Sequence, residues 1–302
     1  MHFTKMHGIG NDYVYIDGFT QSVADPSRLA VKMSDRHFGV GADGLILVLP
    51  PDDKGQHAAD PAHVRMRIFN ADGSEAEMCG NGIRCVCKLA HDQSICRAQP
   101  MRIQTTSGVL TLRYTTGTDG NVDRVTVDMG RPILEPAQIP VDLAARAQLV
   151  DEPVGPLIQW PDELGRRWLD DSGLDRRMTC VSMGNPHAIF FCRAPGAIPL
   201  KRVGPFLEHH RLFPHRINVH FVQVQGPAML KMRTWERGSG VTLACGTGAS
   251  AVCVAAVLTG RSGRAATIRL PGGDLSLRWS DKDDHVYMTG PAVEVFSGHW
   301  HE

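Results

Sequence analysis

Two segments of the chain repeat one pattern of residues at a constant spacing. The first is Met66-Arg67-Ile68-Phe69-Asn70 followed by Cys79-Gly80-Asn81-Gly82, and the second is Met232-Arg233-Thr234-Trp235-Glu236 followed by Cys245-Gly246-Thr247-Gly248. The copies are 166 residues apart, both from Met66 to Met232 and from Cys79 to Cys245. A repeat of this length indicates two related halves, each of which delivers one cysteine at a Cys-Gly-x-Gly turn.

A second pair of matches extends the repeat toward the N-terminus. Gly10-Asn11 recurs as Gly184-Asn185 at an offset of 174 residues, and at the same offset Gly44 aligns with Asn218. Gly44 and Asn218 each precede an apolar run with the composition of a β-strand. Because the matches occur in the same order at several points, the duplication covers most of the chain.

The helix predicted after Cys245 is the strongest indication of the architecture. Residues 249–258 are small and apolar around the whole helix, which is typical of a helix buried on every side. Strand-like runs precede and follow it, as they do the helix predicted after Cys79. We therefore predict an α+β fold of two pseudo-symmetric domains, each a curved, mostly antiparallel, barrel-like sheet wrapped around a central helix.

Two other stretches have simpler interpretations. The Gly-x-Gly-x-x-Gly sequence at residues 39–44 precedes a strand instead of opening a helix, so it predicts a turn and not a dinucleotide site. Residues 134–178 are charged and Pro-rich with weak periodicity. This stretch is predicted to be an inter-domain connection and surface elaboration.

Composition excludes several classes of function. The 32 basic and 32 acidic residues give a net charge of zero, which argues against nucleic-acid partners and membrane surfaces. The chain contains no apolar run long enough to span a membrane, and its first residues lack the apolar core of a signal peptide. We therefore expect a cytoplasmic protein. Its eight cysteines include no Cys-x-x-Cys pair, so we predict free thiols and no metal site.

The repeated cysteines are the predicted catalytic residues. Cys79 and Cys245 each stand where a strand-rich segment turns into a helix, and the helix dipole there favours a thiolate. The N–H groups of Gly80, Asn81, Gly246 and Thr247 could bind a carboxylate at the same helix starts. Either cysteine alone could be an ordinary packed residue at a glycine-rich helix start. Two aligned copies of the motif disfavour that interpretation. Two acid/base groups on opposite sides of a substrate are what inversion of a carbon centre requires.

Polar residues at strand ends and beside glycines predict the rest of a binding cleft. Asn11 pairs with Asn185 across the repeat, and Asn70 pairs with Glu236. Glu236 and Arg237 together suit an amino group and a carboxylate. The predicted set of polar residues for this cleft is Asn11, Asn70, Asn185, Asn218, Glu236 and Arg237.

At this point the motifs resemble those of the diaminopimelate epimerase family. The resemblance is carried in order by residues 5–12, 69–74, 79–85, 183–187, 216–219, 236–238, 244–248 and 287–292. It implies a cofactor-independent enzyme that interconverts LL- and meso-2,6-diaminopimelate in lysine and peptidoglycan-precursor synthesis, with Cys79 and Cys245 as its two acid/base residues. It also implies substrate contacts from Asn11, Asn70, Gly80, Asn81, Asn185, Asn218, Glu236, Arg237, Gly246 and Thr247.

The resemblance implies further features. His187 and Glu236 are expected to tune the thiols, and the protein is expected to be a homodimer. The last strand is expected to return to the first half, so the predicted domains are residues 1–129 with 292–302, and residues 130–291. Some family members have glutamine where this chain has Gly44, so a side-chain contact with substrate is lost there.

Two alternatives remain open from the sequence. One is a racemase related to proline racemase, which also uses two cysteines on this architecture. The other is a redox protein in which Cys79 and Cys245 form a reversible disulfide. The Met-Gly-Asn-Pro-His segment at residues 183–187 argues against the first, and the absence of Cys-x-x-Cys argues against the second.

Overall fold

The structure, a computed structural model, describes residues 1–52, 61–76, 78–143, 146–165 and 167–301. It divides into two compact units. Unit 1 is Met1–Asp128 with Thr289–Glu302, and unit 2 is Met129–Met288. Strands dominate both units and helices are few, so the fold is mixed α+β, as predicted.

The elements of unit 1 follow the first copy of the repeat. In chain order they are β1 (His2–Gly8), β2 (Asn11–Asp17), α1 (Pro26–Ser34), β3 (Gly44–Leu49), β4 (Val64–Asn70), β5 (Glu75–Ala76), α2 (Gly80–Asp92), β6 (Met101–Thr105), β7 (Gly108–Thr116) and β8 (Val122–Asp128).

The elements of unit 2 follow the second copy, after which the chain returns to unit 1. They are β9 (Glu152–Pro153), α3 (Arg167–Ser172), β10 (Arg177–Ser182), β11 (Pro186–Phe191), α4 (Leu200–Glu208), β12 (Asn218–Gly226), β13 (Met229–Glu236), β14 (Gly240–Thr242), α5 (Gly246–Leu258), β15 (Ala265–Leu270) and β16 (Gly273–Trp279). The last two strands are β17 (Val286–Pro291) and β18 (Val293–His299).

The two units have the same strand pairings. In unit 1, β2 is parallel to β3, β3 is antiparallel to β4, and β4 pairs antiparallel with β5 and parallel with β6. In unit 2, β11 is parallel to β12, β12 is antiparallel to β13, and β13 pairs antiparallel with β14 and parallel with β15. The registers also correspond, since Tyr13 pairs with Gly44 and His187 pairs with Asn218. The duplication seen in the sequence is therefore a duplication of topology.

One helix lies among the strands of each unit. In unit 1, α2 contacts β1, β2, β3, β4, β6, β7 and β8, and in unit 2, α5 contacts β10, β11, β12, β15 and β16. Most residues of α5 are buried, as its apolar sequence predicts. Gly260 follows the helix in the left-handed region with φ 68°, although the C-cap itself is Thr259. A left-handed glycine directly after the C-cap is a common way for a helix to end.

The first and last strands complete the sheet of unit 1. β1 pairs antiparallel with β2 on one side and with β18 on the other. The expected return of the last strand to the first half is thus present. β1 itself is not predicted from the sequence, although most of its residues are buried.

The glycine-rich sequence at residues 39–44 connects α1 to β3, as predicted. The amide nitrogens of Gly39, Val40 and Gly41 donate to carbonyl oxygens at the end of α1, so the segment is a turn that closes this helix. Gly44 opens β3, and a Cβ atom there would lie 2.1 Å from the carbonyl oxygen of Phe69. No side chain fits at this position, so Gly44 cannot supply a side-chain contact to a ligand.

The prediction for residues 134–178 is wrong in one respect. The segment is not only surface, because Ile139, Leu149, Val154 and Ile158 are buried in the main hydrophobic cluster of unit 2. Burying such side chains contributes about 1.5–3 kcal/mol each. The sequence does not reveal this because the apolar residues are separated by prolines and charges, without the period of a helix or a strand.

Candidate active site

Cys79 is the N-cap of α2 in unit 1. Its backbone is extended (φ −138°, ψ 112°), and its Sγ accepts a hydrogen bond from the backbone N–H of Gly82 at 3.3 Å. The thiol also contacts Asn11, with 3.2 Å from Sγ to Oδ1. The N–H groups of Gly80 and Asn81 belong to the first turn and have no acceptor within the helix. These two N–H groups lie at the helix start, where the sequence places them, and their binding of a carboxylate stays a prediction.

Asn11 is held in place by an acidic neighbour. Its Nδ2 donates to Asp43 Oδ2 at 2.8 Å, and Arg36 pairs with the other oxygen of Asp43 at 2.9 Å. This leaves Asn11 Oδ1 directed at Cys79 and at Asn81, whose Nδ2 lies 3.5 Å away. Asn11, Cys79 and Asn81 thus form one cluster, as the sequence predicts.

Asn70 lies at the end of β4, next to Gly44 in the neighbouring strand. Its Nδ2 donates to Ser74 Oγ at 3.0 Å, and its backbone N–H donates to the Ser74 carbonyl at 2.8 Å. The amide is therefore part of the β4–β5 turn in this structure. Its contact with a substrate stays a prediction.

Cys245 is the N-cap of α5 in unit 2, with nearly the same backbone as Cys79 (φ −138°, ψ 103°). It is more deeply buried, with 3% of its surface exposed. Burial raises the pKa of this thiol well above its usual value, and the negative charge of Glu236 raises it further. The N–H of Gly248 and the hydroxyl of Thr247 oppose these effects, the latter at 3.8 Å from Sγ.

The turn after β13 holds Glu236 near this thiol. Glu236 accepts a hydrogen bond from the hydroxyl of Thr242. Behind the turn, Glu208 on α4 is 3% exposed and accepts from Trp235 Nε1 at 2.6 Å and from the N–H of Gly238 at 3.0 Å. Glu208 is not predicted from the sequence, because nothing in the sequence marks α4 as a support for this turn.

Asn218 and Arg237 are joined to each other. Asn218 Oδ1 accepts from the backbone N–H of Arg237 at 2.9 Å, and its Nδ2 donates to the Pro186 carbonyl at 2.8 Å. The guanidinium of Arg237 donates to the His215 carbonyl at 3.0 Å. Asn218 therefore fixes the backbone that carries Arg237, and its predicted contact with substrate remains a prediction.

Within the described residues, His187 is linked to Cys245 only indirectly, through other side chains. Its Nε2 lies 2.9 Å from Asn185 Oδ1, and Asn185 Nδ2 donates to Thr247 Oγ1 at 3.3 Å. Burial lowers the pKa of His187 well below its usual value, so the ring is neutral at neutral pH. The predicted influence of His187 on the thiol would therefore act through Asn185 and Thr247.

His220 and Thr234 are functional candidates that the sequence analysis misses. His187 Nδ1 lies 2.9 Å from His220 Nε2, and His220 Nδ1 lies 3.0 Å from Thr234 Oγ1. A signal was present in the sequence, because His220 interrupts the apolar run 219–222 and aligns at offset 174 with Ile46. The repeat therefore keeps a β-strand at this position but has a histidine where the first copy has an isoleucine.

The cysteines away from the repeated motifs have a different environment. Burial raises the pKa of the Cys85 thiol to about 11 and that of the Cys253 thiol to about 12. Neither residue stands at a helix start. Their environment is that of cysteines packed in the interior.

Within the described ranges, no three His, Cys, Asp or Glu side chains come together in a group that could hold a metal ion. In the same ranges, no helix has the length and apolar composition needed to cross a membrane.

Solved structures define the fold class. A phenazine biosynthesis protein from Bacillus anthracis superposes with a TM-score of 0.69 at 15% identity, covering 99% of this chain and 98% of the other. A hydroxyproline epimerase from Agrobacterium vitis superposes with a TM-score of 0.65 at 16% identity, covering 99% and 91%. The chain therefore has the two-domain fold that these epimerases and phenazine biosynthesis proteins share.

Sequence comparison identifies the family within that class. The profile of the diaminopimelate epimerase family matches residues 3–135 and 179–295. The diaminopimelate epimerase of Acetivibrio thermocellus is 49% identical over 298 residues, covering 99% of this chain and 98% of the relative. That of Moorella thermoacetica is 48% identical, covering 99% and 98%. The chain belongs to the diaminopimelate epimerase family.

Proposed function

We propose that this protein interconverts LL- and meso-2,6-diaminopimelate by proton transfer at one α-carbon, with Cys79 and Cys245 as the two acid/base residues. The observation that carries the proposal is that the two cysteines have matching positions in the duplicated topology. Each is the N-cap of the helix that lies among the strands of its unit. Family membership supports the choice of substrate.

The proposed reaction needs one thiolate and one thiol. The thiolate removes the proton from Cα, and the thiol delivers its proton to the opposite face. One proton thus remains shared by the pair after each turnover, and the cysteines exchange roles in the reverse direction. Because the two thiols act on one shared proton, they titrate as a coupled unit.

The helix starts would stabilise the charge that develops on the substrate. The N–H groups of Gly80 and Asn81, and those of Gly246 and Thr247, are oriented donors for the α-carboxylate. Such fixed donors act on the transition state without a cost of reorganisation. This would allow proton removal from a weakly acidic Cα without a cofactor.

The remaining polar residues would recognise the distal amino-acid group. In this proposal Arg237 pairs with the distal carboxylate and Glu236 with an ammonium group, while Asn11, Asn70, Asn185 and Asn218 hold the substrate in register. Arg237 would give up its bond to the His215 carbonyl to do so. A substrate that lacks the distal carboxylate would leave Arg237 unpaired, which a polar site can reject by several orders of magnitude.

We further propose that the protein works in the cytoplasm as a homodimer and supplies lysine and peptidoglycan-precursor synthesis. Exposed apolar residues on β18 support a self-associating surface. Val293, Val295 and Phe296 are 40%, 54% and 47% exposed. Sedimentation velocity of the wild type and of Val295→Glu would test the dimer.

The proposed activity is tested by incubating the reduced protein with LL-diaminopimelate in D₂O without added cofactor. Formation of the meso isomer with one deuterium at the inverted carbon is the expected result. Racemisation of L-proline or L-lysine with comparable efficiency would contradict the assignment and favour a racemase related to proline racemase. Absence of exchange at Cα in the fully reduced protein, together with a reversible disulfide between Cys79 and Cys245, would favour a thiol switch.

A further inference from the structure

A continuous set of hydrogen-bonded side chains in unit 2 ends at the sulfur of Cys245. Its members lie on β11, β12 and β13, in the turn between β10 and β11, and at the start of α5, within one compact unit. In order, the set, here named the relay, is Thr234, His220, His187, Asn185, Thr247 and Cys245.

The amide of Asn185 sets the direction of the relay. Its Oδ1 can only accept and its Nδ2 can only donate. Because Oδ1 faces His187 Nε2 at 2.9 Å, the neutral His187 ring carries its proton on Nε2 and accepts at Nδ1. The bond of 2.9 Å from His187 Nδ1 to His220 Nε2 then requires the His220 proton on Nε2.

The same reasoning fixes both ends. His220 Nδ1 is an acceptor, so the Thr234 hydroxyl donates to it across 3.0 Å. At the other end, Thr247 Oγ1 accepts from Asn185 Nδ2 at 3.3 Å. The hydrogen of the Thr247 hydroxyl is then available to the sulfur of Cys245.

We propose that the relay is directional, and that Thr234 and His220 are positioning residues that make the Thr247 hydroxyl a donor to the Cys245 sulfur. This inference builds on the proposed acid/base role of Cys245. A hydroxyl that donates to sulfur stabilises the thiolate more than the thiol. The relay therefore counteracts part of the penalty that burial and Glu236 impose on the Cys245 thiolate.

Burial preserves this direction. Thr234 is 2% exposed and both histidines are fully buried, so water does not compete for the bonds. Burial lowers the pKa of His220 to about 3 and that of His187 well below its usual value, and the positive charge of Arg237 lowers the pKa of His187 further. Both rings stay neutral at neutral pH, and a neutral ring has one donor and one acceptor.

The ring of His220 also supports the first turn of α5. A Cβ atom added to Gly248 would lie 2.4 Å from His220 Cε1 and 2.9 Å from Cys245 Sγ. The ring, the glycine backbone and the sulfur are therefore packed together. In unit 1 the equivalent contact of Gly82 is with Ile46, at 2.7 Å from its Cδ1, so an apolar side chain occupies the position of the histidine.

The first test determines which ring nitrogen carries the proton in His187 and in His220. Nuclear magnetic resonance of protein labelled with ¹⁵N-histidine distinguishes a protonated Nε2 from a protonated Nδ1, and His187→Gln and His220→Gln assign the two signals. We expect both rings as neutral Nε2–H tautomers at pH 7.5. Two Nδ1–H tautomers would mean that the bonds run from Thr247 toward Thr234, and this would overturn the proposal.

The second test reads the thiolate of Cys245. The rate of alkylation by iodoacetamide is measured at pH 8 by mass spectrometry of the Cys245 peptide. Thr234→Val removes one relay bond and His220→Leu removes two, and each variant should slow this rate about 3- to 10-fold. His220→Gln, which keeps a donor toward His187, should stay within about twofold of wild type.

A matched control separates the relay from general loss of a buried hydroxyl. Thr179 on β10 is also 2% exposed, and its Oγ1 accepts the N–H of Asp151 at 3.0 Å, outside the relay. Thr179→Val should leave the Cys245 rate unchanged. Alkylation of Cys79, whose partners Asn11 and Gly82 are not in the relay, should be unchanged in every variant.

The outcomes separate this proposal from the proposed function. Equal Cys245 rates in Thr234→Val, His220→Leu and Thr179→Val would overturn the relay, even if Cys245→Ala abolishes epimerisation. Conversely, a relay effect on alkylation together with full activity of Cys245→Ala would overturn the catalytic role and leave the relay in place.

Discussion

The two helix starts have the same backbone and different surroundings. Cys79 and Cys245 have φ −138° in both cases, with ψ 112° and 103°. Cys79 is partly exposed and bonded to an asparagine that an acidic side chain holds, whereas Cys245 is buried beside a glutamate. Duplication thus preserves the geometry that presents a thiol, while the surrounding side chains can adjust the acidity of each thiol separately.

The largest effect is expected from removing either thiol. Cys79→Ala and Cys245→Ala should each lower kcat/KM by at least about 10³-fold, because each removes one acid/base group while other contacts remain. The measurement is formation of meso-diaminopimelate from the LL isomer under reducing conditions. Cys253→Ala is the control and should retain nearly full activity. Full activity in either motif variant would show that the two helix starts are not both needed.

A second comparison concerns the side chains that donate hydrogen bonds to the first turn of α2 and to that of α5. Arg84 Nη1 donates to the Gly80 carbonyl and Ser250 Oγ donates to the Gly246 carbonyl, at 3.1 and 3.0 Å. Arg84 is fully buried and also donates to the Pro291 carbonyl at 3.1 Å. The two residues are equivalent in the repeat at offset 166.

We expect Arg84→Met to lower the free energy of unfolding by about 3 kcal/mol, because the carbonyls of Gly80 and Pro291 both lose a charged donor. Ser250→Ala should cost about 1 kcal/mol, since one bond is lost. Urea unfolding followed by circular dichroism measures both. Similar small losses in the two variants would show that the arginine is no more important to its helix start than the serine is.

The glycines of the two first turns should differ in tolerance. In Gly82→Ala the new methyl group meets the end of the flexible Ile46 side chain, whereas in Gly248→Ala it meets a packed ring and the sulfur of Cys245. We expect about 100-fold loss of kcat/KM for Gly248→Ala, because a displacement of about 1 Å at a reacting group has that effect. Gly82→Ala should lose only a few-fold. Equal losses of kcat/KM in the two variants would contradict the difference in packing around the two glycines.

A last difference between the two units concerns how the free energy of unfolding depends on pH. The folded pKa of His220 is about 3, below its unfolded value of 6.5. Between these values the unfolded chain binds a proton that the folded protein does not, so stability falls as the pH drops below 6.5. Between pH 7 and pH 5, the free energy of unfolding should fall by about 2 kcal/mol less in His220→Gln than in wild type. Ile46→Leu in unit 1 should leave this pH dependence unchanged.

The repeat made much of the fold predictable. Strands β3, β4, β12 and β13 and helices α2 and α5 follow from apolar runs and glycine turns that occur twice. β1 escapes prediction because Thr4 and Lys5, which read as solvent-exposed, are 2% and 6% exposed. α4 escapes prediction because Gly204 and Pro205 lie inside it. Packing explains the glycine, since a Cβ atom there would lie 2.3 Å from the Trp235 ring.

The candidate site was predictable where residue type and position repeat together. Cys79 and Cys245 stand at helix starts as predicted, and Asn11 and Asn185 share a left-handed glycine before them, with φ 85° at Gly10 and 92° at Gly184. The residues that support the candidate site through hydrogen bonds were not predictable. Thr234 bonds to His220, 14 residues away, and Glu208 bonds to Trp235, 27 residues away. Such pairings depend on how the elements pack, and composition does not encode them.

The pairing of β1 with β18 has a consequence for the time at which unit 1 can finish folding. On the ribosome, β1 emerges well before β18 (Val293–His299), which is synthesised about 290 residues later. At about 5–20 residues per second, this leaves the β18-facing edge of β1 without its partner for roughly 15–60 s. All of unit 2 is synthesised within that interval. The unit that is begun first is therefore completed last, and its open strand edge is where a nascent chain is most exposed to aggregation.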